Sequence, residues 1–373
     1  MRVGFVTPDL GRPSGGSAYN TRVIANWPAA TSVETVVVSP NVARPAVGGD
    51  GGSTARSQAV PGGGRALDAA LEEALRRNPV SVVDGLLGSE HPDVIERAEA
   101  AGHRVLLLMH MPRPDDVGLT AADRERLATL EQRAVRAASA IVSPSTWGAA
   151  EVARRYGRAD ALVAVPGVER APVARGSEPL QVLQLGAVGP LKNQELVLRA
   201  VQQLAGGPSP APEFRLRIVG PVVDLPAAER LQALTAALPQ VTAGPEGPLE
   251  GEELEQVFAG TDLLVSVATR ETYGLVVTEA LARGIPAIAG RGTGAEEALA
   301  AGGAAAGLPG VTVSPSDPVE LARALGRWLT EPELRRDWRS RALAARPRLP
   351  RWEHTAQTIS DAASAALSRG SAR

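Results

Sequence analysis

The chain has 373 residues, 44% of them hydrophobic and 21% charged, a length that favours two domains and a composition that excludes a disordered, collagen-like or coiled-coil protein. Its 39 basic and 41 acidic residues leave a formal charge of −2, so no overall field gathers nucleic acid or an anionic membrane. The absence of cysteine rules out disulfides, thiolate nucleophiles and thiolate metal sites, and four scattered histidines leave little for a structural zinc.

The opening run MRVGFVTP reads as a first strand, because it lacks the basic region and long apolar core of a secretion signal. No window is apolar for the length of a membrane span, and the protein is expected in the cytoplasm. Short runs of Val, Ile and Leu predict strands over 3–7, 35–39, 80–84, 105–110, 140–143 and 162–165. Between them, apolar residues spaced by three and four predict helices over 65–77, 94–101, 121–137 and 147–156. Strand alternating with helix argues for a parallel sheet covered on both faces. The stretch 48–64 is glycine-rich and reads as a mobile loop, and 169–179, broken by prolines and charges, reads as a linker. A second series of strands follows over 182–185, 216–219, 263–267, 286–289 and 311–313; from about 317 the chain is helical in three pieces, broken near Pro332 and over 346–350.

Open parallel sheets bind ligands beyond the C-terminal ends of their strands, so the residues just after each strand carry the functional reading. After strand one, Gly15 and Gly16 precede a helix; paired glycines there either form a plain turn or let backbone approach a phosphate or sugar. This is not the GxGxxG of dinucleotide enzymes, which leaves a dehydrogenase without support. His110 stands where LLLM meets a proline-rich loop, placed either to bond a sugar hydroxyl or phosphate or to be satisfied by backbone; His91, His103 and His354 read as structural. Asp115 and Asp116 are adjacent in a polar loop and read as solvated rather than as a metal pair.

The second half is more specific. All but one of the basic residues are arginine, a bias expected of GC-rich coding, and the exception, Lys192, stands at a strand-to-helix turn. An ammonium is a compact point charge that a planar guanidinium does not replace at a tight diphosphate site. Further on, Glu271 and Glu279 bracket a helix start at Gly274. The amides of Gly274, Leu275 and Val276 suit an anion there, and the carboxylates suit hydroxyls on either side. A nucleotide-sugar has that pattern; the plainer alternative is a helix cap and a solvated glutamate.

The phrase E-T-Y-G-L-V-V-T-E-A-L-A-R-G-I-P resembles the E-x7-E signature of the retaining GT-B glycosyltransferases called family four. The early GG pair, His110, V-P-G-V-E at 165–169, the Lys192 turn and the late Arg351-Trp352 extend the resemblance over nearly the whole chain. It implies an α/β fold of two Rossmann-like parallel-sheet domains facing a central cleft. The acceptor domain would span 1–172, with a last helix over 352–373 packing back on it, and the donor domain 178–350. It implies that Glu279 binds the donor ribose, Glu271 the transferred sugar, and Lys192 with the amides near Gly274 the diphosphate. The donor set would comprise Gly15, Gly16, Lys192, Glu271, Tyr273, Gly274, Leu275, Val276 and Glu279, with His110 beside the reacting sugar and Tyr19 and Asn20 near the acceptor. The implied reaction is metal-independent, retaining hexosyl transfer from a nucleotide-diphosphate sugar, UDP-sugar favoured, to a small soluble acceptor, without cofactor. The family's arginine five positions before its lysine is Ala187 here, so Arg113, Arg270 or Arg291 would have to substitute. A catalytically inactive binding subunit, or an epimerase or hydrolase of the same fold, is the alternative.

Overall fold

The computed structural model describes residues 1–10, 14–38, 63–206, 212–236, 238, 245–303 and 307–370. The glycine-rich loop expected over 48–64 lies outside them, apart from its last two positions, which begin a helix. The chain divides into two compact units, one of Met1–Ser143, Ala149–Ala164 and Glu353–Arg373, the other of Pro144–Gly148 and Val165–Trp352.

In chain order the first part runs β1 (Arg2–Pro8), α1 (Gly15–Ala25), β2 (Ser32–Val38), α2 (Gly63–Arg76), β3 (Val80–Asp84), α3 (Gly85–Gly88), α4 (Pro92–Ala100), β4 (Arg104–Leu108), α5 (Ala121–Ala137), β5 (Ala140–Ser143), α6 (Thr146–Tyr156) and β6 (Leu162–Val163). The strands form one parallel sheet ordered β2-β1-β3-β4-β5-β6. Strand β1 sends the chain outward to β2, whereas β3 returns to its other side, so the switch point lies between β1 and β3. Apart from Arg104 at the start of β4, the central strands β3, β4 and β5 are buried along their length, which is why they read as apolar runs. Leu71 and Leu75 of α2, Val94 and Ile95 of α4, and Val135 of α5 pack on Val83, Leu107 and Ile141. The last helix of the chain contributes Ser360, whose hydroxyl lies 2.9 Å from that of Thr31.

The second unit contains β7 (Leu180–Leu185), α7 (Gln194–Ala205), β8 (Phe214–Val219), α8 (Leu225–Thr235), α9 (Gly251–Ala259), β9 (Leu263–Ser266), α10 (Leu275–Ala282), β10 (Ala287–Gly290), α11 (Gly294–Ala300), β11 (Gly310–Val313), α12 (Pro318–Thr330) and α13 (Pro332–Ala345); the closing helix is α14 (Trp352–Gly370). Its parallel sheet is ordered β11-β10-β9-β7-β8, with the switch point between β7 and β9. Successive residues alternate between two buried layers. Val182, Leu263, Val265 and Ile288 meet α7 and α12, where Trp328 and Leu325 are buried, while Leu183, Leu264, Ala287 and Ala289 meet α10 and α11.

The stretch expected as a linker is tied down instead. Ala174 N–H donates to the Arg283 carbonyl at 2.9 Å and Arg175 N–H to that of Ala259 at 2.8 Å, while the Arg346 guanidinium donates to the Ala171 carbonyl at 2.7 Å. Proline and charge mark a segment without regular structure, but its backbone groups find partners on the second unit.

Candidate functional site

In the second unit the loops after β7 and β9 meet across the switch point. The β7 loop turns at Gly186 (φ +149), and a Cβ there would lie 3.3 Å from Cδ and Cε of Lys192, so the bare backbone is what lets the lysine stem lie across it. Asn193 follows in the left-handed region (φ 58), which its short polar side chain tolerates. Its amide donates to the carbonyls of Val267 (3.0 Å) and Pro315 (2.7 Å), fastening the lysine turn to the end of β9. The buried Gln184 amide holds the Lys192 carbonyl at 3.0 Å. Thr269 N–H donates to the Leu191 carbonyl at 2.9 Å, a second tie between the loops.

The Lys192 ammonium lies 2.5 Å from Glu271 Oε2, with the lysine side chain about one-third exposed at 34% and the glutamate at 15%. Glu271 is anchored through its own backbone, its carbonyl accepting from Gly294 N–H at 2.7 Å. Gly274 caps α10 in the left-handed region (φ 92), its Cα facing Ala295 so closely that a Cβ would meet that residue at 3.2 Å. Leu275 and Val276 occupy the first turn of α10, where helical N–H groups lack intrahelical partners and carry partial positive charge. Glu279 is half-buried on the same helix, about one turn in, and eight positions after Glu271 in the preceding loop. Tyr273 is buried, its hydroxyl without a hydrogen-bond partner, and burial pushes its ionisation well above the usual phenol range.

Ala187 stands in the β7 loop, and the proposed substitutes for the missing arginine are differently placed. Arg113 pairs with Glu90 and Asp116 in the first unit, and Arg291 pairs with Glu320 beyond β10. Arg270 stands immediately before Glu271 in the β9 loop.

The first unit assembles a second cluster at its own switch point. Ser14 and Ser17 cap α1 reciprocally, which fixes Gly15 and Gly16 as its first residues. Gly16 backs onto His110: a Cβ there would lie 3.0 Å from Cδ2 of the imidazole. His110 sits past the end of β4, which is shorter than the strand expected over 105–110 because hydrogen bonding to β5 ends at Met109. Its Nε2 is 2.9 Å from Asn20 Oδ1 and 3.5 Å from Asp84 Oδ2; Asn20 Nδ2 donates to the same Asp84 oxygen at 2.5 Å. Burial holds the His110 pKa below the ordinary imidazole value, only partly offset by Asp84.

Tyr19 and Asn20, expected near the acceptor, both lie in the interior of the first unit. Tyr19 is 1% exposed, donates its hydroxyl to the Ala164 carbonyl at 2.7 Å and presents its ring edge-on to His110 at 5.0 Å. Asn20 is 2% exposed and spends its amide on Asp84, Thr7 and His110. Both face inward because they lie on the buried side of α1 with Val23. Asp115 and Asp116 are not solvated either: Asp115 pairs with Arg155 at 2.7 Å with its side chain 8% exposed, and burial raises the Asp116 pKa despite Arg113. His91 bonds Asp68 and His103 the Asn78 carbonyl, while His354 is exposed on α14. Sequence reading missed Asp84, although an acid at the C-terminal end of a buried strand was itself a signal; it missed Asn193 too, whose flag was the asparagine between the lone lysine and a helix.

Residues 168–344, which hold the whole Lys192–Glu271 cluster, match the model of the glycosyl transferases group 1 family. The fold agrees over the full length: a sucrose-phosphate synthase from Thermosynechococcus elongatus superposes with a TM-score of 0.74 at 18% identity, covering 99% of this chain and 100% of that one. The chain has the GT-B fold, and its residues 168–344 resemble a glycosyltransferase family. Another GT-B structure, that of Anabaena Alr3699/HepE in complex with UDP and glucose, gives a TM-score of 0.72 at 16% identity over 98% and 100% of the two chains. Among curated proteins, this GT-B chain is 30% identical over 258 residues to a D-inositol 3-phosphate glycosyltransferase of a Nocardioides species, covering 62% of this chain and 54% of that protein. It is 33% identical over 226 residues to the enzyme of that name from Streptomyces scabiei, covering 55% and 49%. The chain thus spans about half the length of the curated relatives it matches. Among the described residues no helix is long and apolar enough to cross a membrane.

Proposed function

We propose that this protein transfers a hexosyl group from a nucleotide-diphosphate sugar to a hydroxyl of a small soluble acceptor, with retention of configuration. The observation that carries the reading is the Lys192 ammonium beside Glu271, on a loop pinned to the end of β9, whose own loop leads into α10. Departure of a nucleoside diphosphate builds negative charge on the bridging phosphate, and a fixed ammonium with unpaired helix amides lowers that barrier without calling for a metal. In this reading the phosphate takes Lys192 over from Glu271, which turns its freed carboxylate to the hydroxyls of the transferred sugar. Glu279 holds the ribose, the acceptor hydroxyl attacks on the face the leaving group vacates, and the diphosphate takes the proton. The presence of UDP and glucose in the Anabaena neighbour supports a UDP-sugar donor. The curated relatives are named for D-inositol 3-phosphate, which supports a small polyol-like acceptor.

Lys192→Ala is expected to slow turnover by about 10²–10³ and to weaken UDP binding. Steady-state kinetics with a UDP-sugar and a polyol acceptor measure the first, thermal shift with UDP the second. Turnover within about twofold of wild type overturns the assignment. The second reading, a binding subunit that transfers nothing, is favoured by Ala187 together with the engagement of Arg113 and Arg291 by carboxylates. UDP binding with no release of UDP from any UDP-sugar, with or without acceptor, selects it.

A further inference from the structure

The Asp84–Asn20–His110 chain in the first unit has a direction. Asp84 as a carboxylate only accepts hydrogen bonds. It takes one from Leu86 N–H at 2.8 Å through Oδ1 and one from Asn20 Nδ2 through Oδ2. The second hydrogen on Asn20 Nδ2 goes to Thr7 Oγ1 at 3.2 Å, so turning the amide over would set its oxygen against a carboxylate. Asn20 therefore offers His110 its oxygen, and Nε2 must bring the proton. All three groups are buried or nearly so, with Asp84 at 1%, Asn20 at 2% and the His110 side chain at 17% exposure. Gly16 on one side and the Tyr19 ring on another hold the imidazole plane.

We propose that Asp84 and Asn20 are positioning residues that lock His110 as its Nε2–H tautomer, leaving Nδ1 with a lone pair to accept a hydrogen bond from a substrate hydroxyl. The hydroxyl part rests on the glycosyl-transfer reading above; the tautomer does not. Burial of the imidazole, which disfavours its cation, agrees with a ring that works neutral.

The test is two-bond proton–nitrogen NMR on histidine-labelled full-length protein without donor. Its four histidines give a sparse spectrum, and loss of one signal set in His110→Gln assigns the ring. Wild type is expected as Nε2–H. In Asp84→Asn the new amide keeps the Leu86 bond through its oxygen and turns its NH2 toward Asn20. Asn20 then flips, donates to Nε2 and moves the proton to Nδ1. The kcat of that variant is expected to fall about tenfold or more, with UDP affinity unchanged. Wild type as Nδ1–H or as a mixture overturns the proposal, as does an Asp84→Asn protein that keeps the Nε2–H form. Inversion with kcat unchanged overturns the hydroxyl-accepting role. The His91 and His103 signals report whether the variant is folded, and if it is not, the wild-type spectrum alone decides. A wild type that transfers no sugar sinks the transfer reading, whereas the ring measurement is made on the free protein.

Discussion

A missing side chain matters as much as any present one beside His110. A methyl group on Gly16 would sit 3.0 Å from the imidazole, so the ring would have to give by a few tenths of an ångström, and Tyr19, edge-on to it, resists that shift. Gly16→Ala is expected to cost about 1–3 kcal/mol by overpacking, read from the shift in denaturation midpoint, and to slow turnover by displacing His110. Unchanged stability together with unchanged rate would show that the imidazole moves aside at no cost. The same substitution on an exposed helix would be neutral or mildly stabilising through higher helix propensity, so the sign of the effect distinguishes the packed site from a plain turn.

Among the elements, α10 depends most on one backbone angle. Gly274 must sit at φ 92 for the chain to leave the Glu271 loop and enter the helix, and its Cα abuts Ala295 of α11. Gly274→Ala is expected to lose about 1–3 kcal/mol through backbone strain, and to weaken UDP binding by misaligning the first turn; urea unfolding and thermal shift with UDP measure the two. The elements themselves were largely legible. β3, β5 and α5 take the bounds read from Val, Ile and Leu runs and from three-four spacing, because a doubly covered sheet writes its burial directly into composition. The Lys192 and Glu271 loops were legible too, by rarity and by motif. What could not be read was the pairing of Asn20 with Asp84 and His110, 64 and 90 residues away, since only the strand order makes them neighbours. Nor could the inward turn of Tyr19, whose helix carries a weak apolar stripe, or the fastening of 171–176, whose backbone groups meet carbonyls and the Arg346 guanidinium far along the chain.

For the molecule as a whole, arginine–carboxylate pairing links stability to pH. Arg154 and Arg155 hold Glu151 down to about 2 from an ordinary 4.5. The unfolded chain therefore takes up this proton first as pH falls, and the stabilisation present above about 4.5 drains away toward 2. Glu151→Gln is expected to lower stability at pH 7 and to flatten its decline between pH 5 and about 2.5, as followed by denaturant midpoints across that range. A decline as steep as that of wild type would assign the acid sensitivity to other carboxylates.

The replacement of lysine by arginine everywhere except the candidate site has a practical corollary. Apart from the α-amino group, Lys192 is the only primary amine in the chain, and a third of its side chain is open to solvent. Besides the α-amino group, an acylating reagent thereby has a single side-chain amine to find, without protein engineering. On the proposed reading, a bound nucleotide diphosphate shields that amine, and mass spectrometry of a single tryptic region is expected to show less acylation as UDP is titrated in.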